Sequence, residues 1–406
     1  MTEAVSATTR RGLRAPGTTT MVAGGLVGAI LAYVFQAVGT RILGDVGFAP
    51  IAAIWTAFFI VASIFLVPLE QYVTRETSRG RSLRSDVEVI VVVAVLAVVA
   101  GAGYVWLTLE SDIFGGNPVY IAVMALVVLG YAVLFSAKGV LAGNRRFADV
   151  GWVLVLEGVI RLAVGLLLLA VVVDATSFAW GMAAAPLAAL AVRFWRHDRQ
   201  AGDIEPVGAT RFLGAFIAGS SASQLLLAGA PLGVSALGGS AALFSVIFVT
   251  FTLYRAPLTL IYSLQSRILP YLVSLGEEGD ESGLRRVALR VLVPGAALTA
   301  LGALVGWMIG PEVVELLFGR EFSPARQVAM LAAGGVMAAS TAQIGGQVLV
   351  ARARTTALAG AWGVGLAVAI VVMLAVSGSP DVRVATGFAA GELVALLSVG
   401  FLITRS

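Results

Sequence analysis

Four ionisable side chains stand inside long apolar stretches of this sequence: Glu157, Arg161, Arg255 and Glu392. A charge at the centre of a bilayer costs roughly 3 kcal/mol or more unless it faces protein or water, so each of the four is a candidate for function. Arg161 follows Glu157 by one helical turn, so the pair can neutralise itself, or Arg161 can serve an anionic ligand. Arg255 has no acid within a turn on its own helix. A guanidinium there offers a planar fork to phosphate oxygens in a partly dry cavity, unless it snorkels to the interface. Glu392, in Ala389-Ala-Gly-Glu-Leu393, has no base near it in sequence. It suits a proton carrier or a hydrogen-bonded structural carboxyl, and Glu157 is a second candidate for proton coupling. The amides of Gln36, Gln224, Gln343 and Gln347 can line a cavity and bind hydroxyl groups, or join neighbouring helices. Pro68 and Pro257 mark candidate hinges, because proline leaves a backbone carbonyl without its donor.

The elements that must carry these groups are twelve apolar runs of near membrane-spanning length. They fall at about 18–39, 46–68, 87–109, 118–137, 150–172, 176–195, 210–230, 238–263, 287–309, 325–350, 356–376 and 382–403. Of the 27 Lys and Arg residues, 21 fall in alternate connections that include both ends of the chain, and only Arg41, Arg320, Arg326 and Arg383 fall in the others. Basic flanks stay on the cytoplasmic side, so a multi-pass protein of the cytoplasmic membrane with both termini inside is expected. With 59% hydrophobic and 12% charged residues, the chain could not keep a polar surface as a soluble domain of this size. The net charge of +4 is spread over the cytoplasmic loops, beside anionic headgroups, so membrane lipids rather than nucleic acid are its expected neighbours. The absence of cysteine excludes disulfides, thiolate metal sites and a cysteine nucleophile.

The connections are far too short to hold a folded catalytic domain. The sequence contains neither a Walker A motif nor an H-E-x-x-H zinc motif. Its one histidine, His197, sits in a basic loop. No enzyme activity, metal or cofactor is expected; the pattern is that of a transporter.

The chain also reads as two related halves. Leu43-Gly44 precedes an apolar run reaching Pro68, and Leu232-Gly233 precedes one reaching Pro257, with 24 residues from Gly to Pro in each case. A small basic loop follows the fourth run of each half, Gly143-Asn-Arg-Arg146 and Ala351-Arg-Ala-Arg354. The expected organisation is a tail at 1–17, an N-lobe at 18–195, a linker at 196–209, a C-lobe at 210–403 and a tail at 404–406. Halves with an even number of spans enter from the same side, which gives a parallel repeat and a central cavity. Gly24-Gly25-Leu-Val-Gly28 carries small-residue spacing that argues for helix packing rather than dimerisation, so a monomer is expected.

Several segments together resemble a known family. They are Arg41-Ile-Leu-Gly44 with Gly47-Phe48 and then Arg75, Gly139-Val-Leu-Ala-Gly-Asn-Arg-Arg-Phe147, Arg255-Ala-Pro257, Leu269-Pro270, and Leu316-Leu-Phe-Gly-Arg-Glu-Phe322 before Ala325. In order and spacing they are similar to the polysaccharide and oligosaccharide flippases of the multidrug, oligosaccharidyl-lipid and polysaccharide exporter superfamily. The resemblance implies an all-α polytopic membrane protein of about 12 transmembrane helices, in two six-helix lobes forming a V-shaped, alternating-access transporter. It implies a lipid-linked oligosaccharide as substrate, with envelope glycosyltransferases or a polymerase as partners. Arg161 and Arg255, from opposite lobes, would then hold the headgroup phosphate. Where many relatives carry an acidic residue in the seventh span, this chain reads Ser221-Ala-Ser-Gln224. The runner-up is a proton- or sodium-coupled multidrug or small-molecule exporter of the same superfamily, whose cavity would favour an acidic, aromatic lining.

Overall fold

In hydrocarbon a backbone N–H or C=O has no water to bond, so each apolar run must satisfy its own polar groups, and a helix does this within one segment. The computed structural model describes residues 17–80, 82, 86–194, 209–256, 258, 272–275, 278 and 280–405, and among them every regular element is a helix. These are α1 (Thr18–Val61), a π-helical turn (Ala62–Leu66), α2 (Val67–Ser78), α3 (Val87–Leu107), α4 (Val119–Gly143), α5 (Phe147–Val171) and α6 (Ala175–Ala184). A 3-10 turn (Ala185–Leu187) leads to α7 (Ala188–Ala191). Then come α8 (Ala209–Ala228), α9 (Ala230–Ala236), α10 (Ala241–Tyr254), α11 (Glu281–Phe318), α12 (Arg326–Ala351), α13 (Thr355–Ala375) and α14 (Pro380–Thr404).

Eight described helical runs are long and apolar enough to cross a membrane, Thr18–Ser78 counting as one, and Ala175–Ala191 and Ala241–Tyr254 are shorter apolar helices. Each of the twelve runs read from the sequence contains a helix, but several bounds differ. The first two runs are not parted by a loop: helix continues on both sides of Gly44, where the backbone alone breaks, at φ 72° and ψ −179°. The second run does not stop at Pro68. A π turn precedes the proline, which occupies the opening of α2, and the helix continues to Ser78. Proline is tolerated there because the first turn of a helix leaves its N–H groups unbonded anyway. The sixth run is broken into three short pieces around Pro186. The ninth is longer than expected, since α11 has 38 residues and absorbs both Pro294 and Pro311. Pro311 leaves the carbonyl four residues earlier, that of Trp307, without its donor. Arg326 supplies the replacement, donating to the carbonyls of Trp307 at 2.9 Å and Met308 at 2.8 Å while pairing with Glu312.

By its contacts the chain divides into two compact units, Met1–Leu43 with Ala57–Ile217, and Gly44–Thr56 with Ala218–Ser406. In the first unit α2 and α3 pack on α4, and α5 on α6. Small residues bring backbones close where lipid supplies no hydrophobic drive between helices. Thus a Cβ on Gly24 would meet the Gly151 carbonyl of α5, and one on Gly28 would lie 2.9 Å from that of Leu154. In the second unit α11 packs on α12, α13 on α14, and α12 on α14. The segment Gly44–Thr56 belongs to this second unit although the chain order puts it in the first half. Its Phe48, Ala49, Ile51, Ala52, Ala53 and Ile54 are all fully buried.

Candidate functional site

The polar core of the first unit is built on two helices. α5 puts Glu157 and Arg161 on one face, one turn apart, and their side chains form a buried ion pair. α4 contributes Tyr131, whose hydroxyl accepts from the Arg161 guanidinium at 2.6 Å and donates to the Glu157 carboxylate at 2.7 Å. Removing one member of such a group strands the others, a loss of about 3–5 kcal/mol for a buried pair. Phe58 covers the tyrosine ring, with centroids 4.3 Å apart. Gln36 lies on α1, its side-chain oxygen buried with no hydrogen-bond partner among the described residues. Its neighbour Phe35 stacks on Phe178 at 4.0 Å, and both rings line the position of Gly165, one turn beyond Arg161. The sequence pointed to the Glu157–Arg161 pair. Tyr131 was missed because its link to α5 is tertiary; its one visible signal was a tyrosine in the middle of an apolar run.

The second unit holds the remaining candidates. Arg255 is partly buried at the C-terminal end of α10, its Nε donating to the Phe251 carbonyl at 2.9 Å. That is the place for a cation, since the last carbonyls of a helix lack intrahelical donors. Pro257 lies outside the described residues, whereas Pro68 is buried directly after the π turn. Gln343 and Gln347 share one side of α12, half-buried, with the Gln347 amide donating to the Gln343 backbone carbonyl at 3.3 Å. Gln224 is half-buried on α8. Glu392 is wholly buried in α14, and neither of its carboxyl oxygens has a hydrogen-bond partner among the described residues. An unmade buried bond of that kind costs about 1–3 kcal/mol.

The fold also joins two segments that the sequence left separate. Phe48 meets Phe322 edge-on with centroids 6.3 Å apart, and meets Phe248 of α10 at 6.2 Å. A Cβ on Gly44 would come within 2.8 Å of the Glu321 carboxylate. Gly44 and Phe48 therefore share one packed patch with Glu321 and Phe322.

No family model matches the chain. Two proteins of known sequence, Rv3630 of Mycobacterium tuberculosis and Mb3654 of Mycobacterium bovis, both uncharacterised, are each 25% identical over 394 residues, covering 91% of this chain and 88% of theirs. Among solved structures, a multidrug resistance MATE family transporter of the MOP superfamily in its inward-facing conformation gives a TM-score of 0.70 at 12% identity over 93% of both chains. The Vibrio cholerae MATE transporter VcmN gives 0.64 at 16% identity over 98% of both chains. A MOP superfamily transporter from Pyrococcus furiosus, described as having a binding pocket of reverse polarity, gives 0.65 at 11% identity over 96% of this chain and 95% of that one. The apolar helices and these likenesses agree: this is a multi-pass, all-α membrane protein with the twelve-helix fold of the MATE transporters of the MOP superfamily.

Proposed function

We propose that this chain is a flippase that carries a polyprenyl-pyrophosphate-linked oligosaccharide, a precursor of cell-envelope polysaccharide, from the inner to the outer leaflet of the cytoplasmic membrane by alternating access. The observation that carries this reading is the polarity of the residues inside the spans. In the first unit Glu157, the carboxylate deepest in an apolar run, is already held by Arg161 and Tyr131, so it is not open to a cationic substrate. The Glu157–Arg161 pair is thus net neutral, with the guanidinium open to exchange partners only if an anion displaces the carboxylate, and in the second unit Arg255 brings a fixed positive charge to the end of α10. A pyrophosphate headgroup is at least doubly anionic, and guanidinium groups bind it bidentately where water is scarce. The Pyrococcus furiosus transporter is a precedent for this fold with a pocket of altered polarity and a different suggested function. The packing of Phe48 on Phe322 adds support, because both belong to segments that resemble the flippases.

In this scheme Gln36, Gln224, Gln343 and Gln347 bind sugar hydroxyls, and Pro68 with the adjoining π turn is a bending point. Both termini are cytoplasmic, the protein works as a monomer without cofactor or catalysis, and envelope glycosyltransferases or a polymerase supply and consume its substrate. The test is flipping of a polyprenyl-pyrophosphate oligosaccharide by purified protein in liposomes, comparing wild type with Arg161→Ala and Arg255→Ala. Loss of flipping in folded variants supports the reading, whereas a wild type that flips nothing but exports cationic dyes overturns it. That second outcome would favour the proton- or sodium-coupled small-molecule exporter, the reading to which an unpartnered buried acid such as Glu392 lends weight.

A further inference from the structure

Glu392 is the thirteenth of the 25 residues of α14, so it sits at the middle of a span. Protein covers it completely. α14 packs mainly on α12 and α13, with smaller contacts to α9 and α11, and it also meets Leu226 of α8 at Gly391 and Phe251 of α10 at Phe388. The one ionisable residue of α8 is Arg211, near its start, and α10 has no charged residue, with Arg255 just past its end. Neither α9 nor α13 contains an ionisable residue. α12 has only Arg326, at its first position, and the charges of α11 lie at its two ends: Glu281, Arg285, Arg286 and Arg290, then Glu312 and Glu315. α14 itself has Asp381 and Arg383 in its first turns. Arg383 stands nine residues from Glu392, about 13 Å by helical rise, and its guanidinium is spent on the carbonyls of Met373 and Leu374. The hydroxyls of α12 are spent as well, Ser340 donating to Val336 and Thr341 to Met337 in their own helix.

A structural carboxyl at this depth would join helices by its hydrogen bonds, yet Glu392 makes none among the described residues. An ionised carboxylate would stand here with no hydrogen bond and no ion pair among the described residues, and the neutral acid is the cheaper occupant of such packing. We propose that Glu392 is a proton-binding site of the second unit, neutral while α14 is packed as seen here and releasing its proton when a rearrangement of that unit admits water. On binding, an O–H bond of hydronium breaks as the carboxyl O–H forms and leaves water; on release the carboxyl O–H breaks and the proton passes to a water molecule, forming hydronium. The proposal rests on the transporter reading only for what the proton is coupled to, not for its binding.

The test is infrared spectroscopy of the purified full-length protein in lipid, wild type against Glu392→Gln, with Glu392→Met as a second variant. Wild type is expected to have a carboxylic C=O band of an acid free of hydrogen bonds, absent from both variants, which disappears as pH is raised while the protein stays folded. A wild type without that band overturns the proposal. So does a band that persists at every pH at which the fold survives, since it marks a permanently neutral packing group. Should neither variant fold, carbon-13 labelling of glutamate in wild type assigns the band, and the same titration decides. Flipping plays no part in this readout, so it stands or falls apart from the substrate; where transport is measurable, Glu392→Gln is expected to lose its pH dependence.

Discussion

Arg145 and Ala353, 208 positions apart, hold the same left-handed backbone conformation in the same turn, with φ of 58° and 55°. Around Arg145 the N–H of Arg146 reaches the Leu141 carbonyl at 2.8 Å and that of Arg145 reaches Ala142 at 2.9 Å. Around Ala353 the N–H of Arg354 reaches Leu349 at 2.8 Å and that of Ala353 reaches Val350 at 2.9 Å. Both are Schellman endings, in which a left-handed residue turns the chain and satisfies the last carbonyls of the helix. The two small basic loops are thus one device used twice. Because a side chain at positive φ costs roughly 1–2 kcal/mol, Ala353→Gly is expected to stabilise the protein by about 1 kcal/mol, read as a rise in thermal midpoint in detergent, with transport unchanged.

Arg161, Glu157 and Tyr131 form one connected group, so single removals should hurt more than joint ones. Arg161→Ala alone is expected to cost about 3–5 kcal/mol by leaving a carboxylate buried and unpaired. Combining Arg161→Met with Glu157→Leu should return most of that loss. A double-mutant cycle on thermal stability checks this; additive effects would mean that the group is not coupled.

Gly44 occupies a backbone region that is essentially reserved for glycine, so Gly44→Ala is expected to lose about 1–3 kcal/mol. Adding Glu321→Ala removes the steric part of the clash but not the backbone part, and the double variant should recover only a fraction. Full recovery would mean that the side-chain contact, not the φ angle, demands glycine.

The start of α11 carries a pH-dependent contribution outside the membrane spans. Asp280 accepts from the Ser282 hydroxyl and the Gly283 N–H, both at 2.8 Å, with Arg286 close by, and these hold its carboxyl below the usual 3.8. A carboxyl lowered by folding adds stability that is complete above its unfolded value and fades as pH falls through the folded one. The stability difference between wild type and Asp280→Asn should therefore be level near neutrality and shrink below about pH 4, as unfolding at a series of pH values would reveal.

The apolar runs, the repeated basic turns and the Glu157–Arg161 pair were legible in the sequence because each depends on neighbours within a few residues. Periodicity and charge spacing report such short-range geometry directly. Tyr131 was not legible as a partner of Arg161, since 30 residues and a turn separate them. The extent of the helix beyond Pro68 was hidden for a different reason: the proline falls where a new turn begins after the π segment, and sequence marks the proline but not the turn. Nor could composition assign Gly44–Thr56 to the second unit, because an apolar helix face does not state which apolar face it will meet.

That last segment sets an order of assembly. Residues 44–56 leave the ribosome long before Phe248 and Phe322, the rings on which Phe48 comes to rest. During synthesis these partners of its buried face are still missing, and the second unit can close only after α11 and the Gly319–Phe322 stretch have been made. A fragment that begins after Thr56 would lack that face altogether, so the second unit cannot be made complete from the later part of the chain alone.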